Sequence, residues 1–142
     1  MMGDLRVTRS YHFSAGHRLE NPAWSEAENA RVYGQCYRQH GHNYLIEVTV
    51  VGTLDPVTGM SADLAAVDAA VETALLKRVD HFDLSATVPE LRGVITTGES
   101  LARTFWQWLE PLLPPGQLRR VTVVETANNV FEYCGEAARG EP

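Results

Sequence analysis

The hydrophobic pattern of the chain predicts strands at both ends. Residues 5–17, LRVTRSYHFSAGH, alternate loosely between apolar and polar positions and contain Val, Tyr and Phe, which predicts a strand. Residues 42–52, HNYLIEVTVVG, form a nearly unbroken β-branched and aromatic run, the strongest strand signal in the chain. Residues 117–134, QLRRVTVVETANNVFEYC, predict two more strands joined at residues 127–129, where Asn suits a tight turn.

Between these strands the spacing of apolar residues changes to a helical period. Residues 63–79 and 99–113 both carry apolar side chains at three- and four-residue steps, which predicts two amphipathic helices. The first apolar face comprises Leu64, Val67, Val71, Ala74, Leu75 and Val79, and the second comprises Leu101, Phe105, Trp108, Leu109 and Leu112. Thr96 and Glu99 have capping-box spacing and predict the start of the second helix.

The order of these elements predicts the fold class. Strands grouped at both ends with two helices inserted between the strand pairs indicate an α+β protein with a four-stranded antiparallel sheet. Residues 20–35, ENPAWSEAENARVYGQ, are polar and predict a long loop with one helical turn at most. A length of 142 residues is typical of one domain, so we expect a single domain over residues 1–142.

Composition narrows the environment and the partners. Hydrophobic residues make up 44% of the chain, enough for a core, and two cysteines do not make a disulfide framework. A reducing compartment is therefore favoured, and we expect a cytoplasmic protein. Residues 1–10 lack the apolar run of a signal peptide, and no segment reaches the ~20 apolar residues of a membrane span. A net charge of −6 argues against nucleic-acid binding.

Three histidines form a candidate metal site. His40 and His42 flank Gly41 at the start of the second strand, and residues two apart in a strand point to the same face. His17 ends the first strand, so antiparallel pairing of the two strands would bring it beside them. Three imidazoles leave one zinc position open, which is typical of a catalytic site. Taken alone, a His-x-His pair is more often part of a partly exposed polar face.

Two arrangements are open for Cys36, which lies four positions before His40. As a fourth metal ligand it would close the site and make it structural. Left unligated, it could act as a base or nucleophile. Asp80 and His81 offer a carboxylate–imidazole pair that can exchange protons with a thiol, although such a dipeptide more often caps a helix.

Six segments in order closely resemble one family. They are FSAGHRL, CYRQHGHNY, GTLDPVTGM, DHFDL, TTGES and VVETANN. Together they resemble the 6-pyruvoyl-tetrahydropterin synthase family, which includes 6-carboxytetrahydropterin synthase of the queuosine pathway. The resemblance implies the tunnelling fold, in which trimers close a β-barrel and two trimers stack as a homohexamer. It also implies 7,8-dihydroneopterin triphosphate as the substrate.

The resemblance also implies roles for individual residues. His17, His40 and His42 match the zinc ligands, which makes Zn²⁺ the expected cofactor, and Cys36 matches the catalytic thiol. The chemistry implied is polarisation of the substrate hydroxyls by zinc, proton removal by Cys36 and elimination of triphosphate.

Four further positions match the family. Asp80 and His81 match the other members of a proton-transfer triad that the family assembles across subunits. Glu125 matches the glutamate that anchors the pterin, because a carboxylate can accept two adjacent N–H groups. Thr97 matches a threonine beside the pterin pocket, or it caps the second helix.

The product and two rival functions stay open at this point. The three residues between Cys36 and His40 favour formation of 6-carboxy-5,6,7,8-tetrahydropterin with release of acetaldehyde. The long segment over residues 21–36, NPAWSEAENARVYGQC, resembles the loop of the alternative, 6-pyruvoyl-tetrahydropterin synthase of tetrahydrobiopterin biosynthesis. We give more weight to the cysteine spacing and expect the 6-carboxy product. A non-catalytic, zinc-stabilised binding module and a zinc hydrolase are the two rivals.

Overall fold

One antiparallel sheet and three helices make up the regular structure of residues 5–136, the part of the chain that the computed structural model describes. The elements are β1 (Leu5–His17), α1 (Glu26–Tyr33), β2 (His40–Gly52), α2 (Leu64–Val71), α3 (Gly98–Leu109), β3 (Leu118–Thr126) and β4 (Asn129–Tyr133). The single domain over residues 1–142 stays a prediction, and its ends, residues 1–4 and 137–142, lie outside the described residues.

The sheet has the order β1-β2-β3-β4, and every neighbouring pair is antiparallel. The β1–β2 pairing is continuous from Leu5 opposite Gly52 to His17 opposite His40. Alternate residues of β2 face the helices and are fully buried; they are Tyr44, Ile46, Val48 and Val50. The predicted α+β class and four-stranded antiparallel sheet are therefore confirmed.

Helices α2 and α3 cover one face of this sheet and supply the other half of the core. Val67 and Val71 of α2 and Leu101, Phe105 and Leu109 of α3 are each 0% exposed. Burying each of these side chains contributes about 1.5–3 kcal/mol.

Helix α2 extends past its regular part. It continues through a π-helical turn, Glu72–Leu76, and a last helical turn, Lys77–Val79. Asp80 is the residue that ends it, and its extended backbone turns the chain back towards β1. The end of this helix therefore sets where the following segment, residues 80–84, meets the sheet.

The polar segment over residues 20–35 differs from the prediction, because it contains the two-turn helix α1 rather than one turn at most. The Ser25 hydroxyl caps its start by accepting the N–H of Glu28, and Gly34 ends it with a positive φ of 57°. Asn29, 2% exposed, ties it to the preceding loop through the backbone of Asn21. Ser25 and Glu28 have capping-box spacing, which is a local sign of this helix in the sequence.

The predicted cap of α3 is also wrong by one residue. Thr97, not Thr96, is the N-cap, and its hydroxyl accepts the N–H of Ser100 at 3.2 Å. Thr96 is instead buried, and its contacts belong to the site described below. Within residues 5–136, no helix combines the length and the apolar character that crossing a bilayer requires.

Candidate functional site

Three histidine rings meet where β1 ends and β2 begins. The register places His17 opposite His40 and Ala15 opposite His42, so all three imidazoles lie on the helix-covered face. Their ring centroids are 4.6–5.1 Å apart. One nitrogen of each ring lies within 4.8 Å of the others, a spacing that can hold a metal ion.

Hydrogen bonds on the outer side of the cluster determine which ring nitrogens of His17 and His40 face the other histidines. His17 Nδ1 lies 3.0 Å from the Thr96 carbonyl oxygen, and His40 Nδ1 lies 2.6 Å from that of Arg38. A carbonyl only accepts, so both Nδ1 atoms carry the proton and both Nε2 lone pairs are available. Metal-binding histidines are commonly oriented by such bonds to backbone carbonyls.

The third ring, His42, has a buried nitrogen that a metal ion could satisfy. Within the described part of the chain, His42 Nε2 is buried and has no hydrogen-bond partner. Its nearest charged neighbour is Glu125, whose Oε1 lies 3.9 Å away, beyond hydrogen-bond distance. Buried polar atoms without a partner are rare, and a metal ion at this nitrogen would satisfy it.

The electrostatics of the cluster favour neutral rings at His17 and His42, which can bind a metal ion. Burial, followed by repulsion from His40 and His42, lowers the pKa of His17 to about 4. Burial also lowers the pKa of His42, although the Glu125 carboxylate opposes this shift. Neutral imidazole is the form that binds metals, so the donor set fits zinc.

Tyr44 lies directly beneath the cluster. It is fully buried, stacks on Phe13 with ring centroids 4.7 Å apart, and its hydroxyl lies 3.4 Å from His17 Nε2. Since that nitrogen carries no proton, the phenol is the donor in this contact, and a metal ion bound at Nε2 would replace it. Burial, reinforced by the Glu125 carboxylate, raises the pKa of Tyr44, so the hydroxyl keeps the proton that it donates.

Asp80 and His81 are held against β1 by the segment that follows α2. Asp80 Oδ1 accepts the N–H of Ser14 at 3.0 Å and pairs with His81 Nδ1 at 2.9 Å. The backbone N–H of His81 donates to the Ser14 carbonyl at 2.6 Å, and His81 has a φ of 66°. A left-handed backbone at a non-glycine residue is costly and is often found at functional sites.

The following residues run beside β1 as a short parallel bridge. The N–H of Gly16 donates to the Phe82 carbonyl, and the N–H of Leu84 donates to the Gly16 carbonyl. A surface cleft of about 470 Å³ lies here, lined by residues 81–83 on one side and 41–43 on the other. The Asp80–His81 pair is therefore fixed relative to the metal site through β1.

Cys36 is an exposed, free thiol in the 3₁₀ turn Gly34–Tyr37. Among the described residues, the group that can hold a metal consists of the three histidines and does not include Cys36. No hydrogen bond or ion pair in residues 5–136 joins Cys36 to Asp80 or His81. The segments that carry these residues are nevertheless joined. Gln39, three residues after Cys36, donates from Nε2 to Oδ2 of Asp83, two residues after His81, at 2.7 Å.

The two predicted pterin-binding residues have different surroundings. Glu125, on β3, points into the histidine face with 15% of its side chain exposed, and its Oε1 lies 3.9 Å from His42 Nε2. The Thr97 hydroxyl is engaged at the start of α3, where it accepts the N–H of Ser100 and contacts the Ser100 hydroxyl at 3.1 Å. Of the two roles expected for Thr97, the capping role is thus observed, and the pterin contact stays a prediction.

The sequence is similar to known proteins over most of its length. A family model described as 6-pyruvoyl tetrahydropterin synthase matches residues 6–136. The chain is 41% identical over 133 residues to 6-pyruvoyl tetrahydrobiopterin synthase from Homo sapiens, with 92% of each chain covered. It is 28% identical over 159 residues to 6-carboxy-5,6,7,8-tetrahydropterin synthase from Aquifex aeolicus, covering 92% of this chain and 98% of the relative.

A solved structure extends the match to three dimensions. The 6-pyruvoyl tetrahydropterin synthase of Caenorhabditis elegans superposes with a TM-score of 0.89 at 35% identity, and the match covers 95% of this chain and 98% of that one. This agreement confirms the predicted tunnelling fold.

Removing one ring should empty the metal site. We expect His42→Ala to lose bound zinc, because two nitrogens hold the ion far more weakly than three. Metal content by elemental analysis after gel filtration checks this, with His12→Ala, an exposed histidine of β1, as the control that retains metal. Full zinc content in His42→Ala, or sulfur in the first coordination shell by X-ray absorption, would contradict the assignment.

Proposed function

Because the chain belongs to the 6-pyruvoyl tetrahydropterin synthase family, as its six motifs predicted, we propose that it converts 7,8-dihydroneopterin triphosphate into 6-pyruvoyl-tetrahydropterin. The reaction eliminates inorganic triphosphate and moves protons within the substrate, so the side chain is oxidised as the ring is reduced. No external oxidant or reductant is needed, and the enzyme is of the lyase type.

The observation that carries this proposal is the cluster of three imidazoles beside a carboxylate. His17, His40 and His42 would hold zinc, and Glu125 lies on the same face within 3.9 Å of His42. Bound there, zinc would supply Lewis-acid polarisation of the side-chain hydroxyls of the substrate. A metal site and a pterin anchor this close together suit a substrate that carries its reactive side chain on the pterin ring.

The choice of product rests on similarity across the whole chain. The spacing between Cys36 and His40 favoured the 6-carboxy product. The human 6-pyruvoyl enzyme, however, is 41% identical, whereas the 6-carboxy enzyme of A. aeolicus is 28% identical. Identity over many positions carries more weight than one spacing. We therefore propose 6-pyruvoyl-tetrahydropterin as the product, in place of the 6-carboxy product that the spacing favoured.

Glu125 would bind the pterin. Its carboxylate lacks a hydrogen-bond partner on the described residues, and it can accept two adjacent N–H groups from the pterin edge. Such a bidentate contact orients the ring and directs the substrate side chain towards the histidines. Thr97 stays a proposed pterin contact, because its hydroxyl keeps a second lone pair while it caps α3.

Proton transfer is assigned to Cys36 and to the Asp80–His81 pair. The Cys36 thiolate would take protons from the side-chain carbons, and His81, oriented by Asp80 at 2.9 Å, would move the others. Since no hydrogen bond or ion pair within the described chain joins Cys36 to this pair, we propose that the two meet across a subunit boundary. Apart from the short bridge at Gly16, the outer edges of β1 and β4 pair with no strand among residues 5–136 and provide surfaces for such a boundary.

The reaction itself is the first test. Purified protein with zinc should release triphosphate from 7,8-dihydroneopterin triphosphate, and mass spectrometry should find 6-pyruvoyl-tetrahydropterin without acetaldehyde. Formation of 6-carboxytetrahydropterin with stoichiometric acetaldehyde would overturn the product. Absence of triphosphate release by zinc-loaded protein would overturn the function.

The role of the thiol is tested by substitution. We expect Cys36→Ala to keep its zinc and its pterin affinity, because the histidines and Glu125 are untouched, and to lose turnover by about 10²–10⁴-fold. Cys134→Ala, which removes the other exposed thiol, is the matched control and should keep wild-type turnover. Loss of zinc from Cys36→Ala would favour the structural-metal rival instead, and wild-type turnover would remove the thiol from the mechanism.

Assembly is tested separately. Because both sheet edges need a partner, we expect a homo-oligomer built from trimers, with a hexamer of two stacked trimers as the proposed state. Multi-angle light scattering at micromolar concentration should give a mass that is a multiple of three chains of 15.7 kDa. A monomer at that concentration would contradict both the barrel and the shared catalytic site.

A further inference from the structure

Thr96 contacts the outer side of the histidine cluster at His17. It is 1% exposed, and two of its oxygens reach the same ring nitrogen: the carbonyl lies 3.0 Å and the hydroxyl 3.1 Å from His17 Nδ1. A pair of adjacent threonines before a helix gives no sign of this in the sequence, where capping is the expected role. With Thr97 acting as the cap, the Thr96 side chain is left for another purpose.

The hydroxyl continues into a chain of hydrogen bonds. The Thr96 hydroxyl lies 3.4 Å from Ser85 Oγ, and Ser85 Oγ contacts both the N–H and the carbonyl oxygen of Arg18 at 3.0 Å. Arg18 directly follows His17, so the chain returns to the strand end that carries the ligand. These contacts join the end of β1, the turn after residue 83 and the loop before α3.

Only one set of proton positions satisfies every atom of this chain. Ser85 must donate to the Arg18 carbonyl, which cannot donate, and it must accept the Arg18 N–H. The Thr96 hydroxyl therefore donates to Ser85, and its lone pair is free to accept from His17 Nδ1. The chain places the His17 proton on Nδ1 and leaves Nε2 unprotonated.

We propose that Thr96 is a positioning residue for the metal ligand His17, acting through its hydroxyl, and that Ser85 supports it. The inference rests on the metal-binding role proposed above for His17. The Thr96 carbonyl alone would keep the proton on Nδ1, but a single hydrogen bond would leave the orientation of the ring poorly fixed. Two acceptors on one N–H hold the ring in the direction that meets His40 and His42.

Zinc affinity tests this with a readout independent of turnover. Metal-free Thr96→Val, which replaces the hydroxyl by a methyl of similar size, should bind Zn²⁺ about 10-fold more weakly in competition with a chromophoric chelator, the lower end of typical losses for such outer contacts. Thr96→Ser should restore most of the affinity. Thr122→Val is the matched control: Thr122 is also 1% exposed, and its hydroxyl has no partner among the described residues.

The outcomes separate this inference from the proposed function. Wild-type protein that binds no zinc would overturn both. Wild-type binding with equal affinity in Thr96→Val would overturn the inference alone, and a lower melting temperature of the metal-free variant without an affinity change would show a purely structural threonine. If Thr96→Val does not fold, Ser85→Ala provides the test, because the Ser85 side chain is exposed and its loss should leave the fold intact. Weaker zinc binding by Ser85→Ala supports the role of the hydrogen-bond chain, and unchanged binding overturns it.

Discussion

The antiparallel pairing of β1 with β2 places His17 directly opposite His40, and the rest of the site is arranged around that pair. Because side chains alternate between faces, a slip of one residue in either strand would send its histidines to the opposite face of the sheet. The same alternation sends Phe13 and Tyr44 into the core, so the hydrophobic packing that stabilises the sheet also fixes the register of the ligands. A stable core and an assembled cluster of three histidines are thus consequences of one register.

The second part of the site depends on β1 in a different way. Asp80 accepts the Ser14 N–H, and residues 82 and 84 exchange backbone hydrogen bonds with Gly16. The strand that ends in His17 therefore also holds the Asp80–His81 pair at a fixed distance from the ligands. The two Gly16 bonds join backbone atoms and so do not depend on flexible surface side chains, which suits a pair whose imidazole is itself mostly exposed.

Local pattern predicted the strands and the convergence of the histidines, because both follow from a period of two and from antiparallel pairing. It failed where tertiary contacts decide. Helix α1 depends on Asn29, a polar residue that is buried only because it bonds to the backbone of residue 21. The exchange of roles between Thr96 and Thr97 depends on a histidine 79 positions away in the sequence, which no local spacing encodes. Glu125 and Cys36 were assigned through family motifs, since an isolated strand glutamate or loop cysteine carries no chemical signature.

Burial of the histidines explains why this arrangement is suited to a metal. A ring that is 1% exposed and has a pKa of about 4 is difficult to protonate at neutral pH, so His17 competes for a metal ion without first losing a proton. The same burial leaves His42 Nε2 without a partner among the described residues, at a cost of about 1–3 kcal/mol for such a group. Metal binding removes that cost in the folded chain only, because the three rings meet nowhere in the unfolded chain. Affinity for the ion and stability of this end of the sheet are therefore thermodynamically linked.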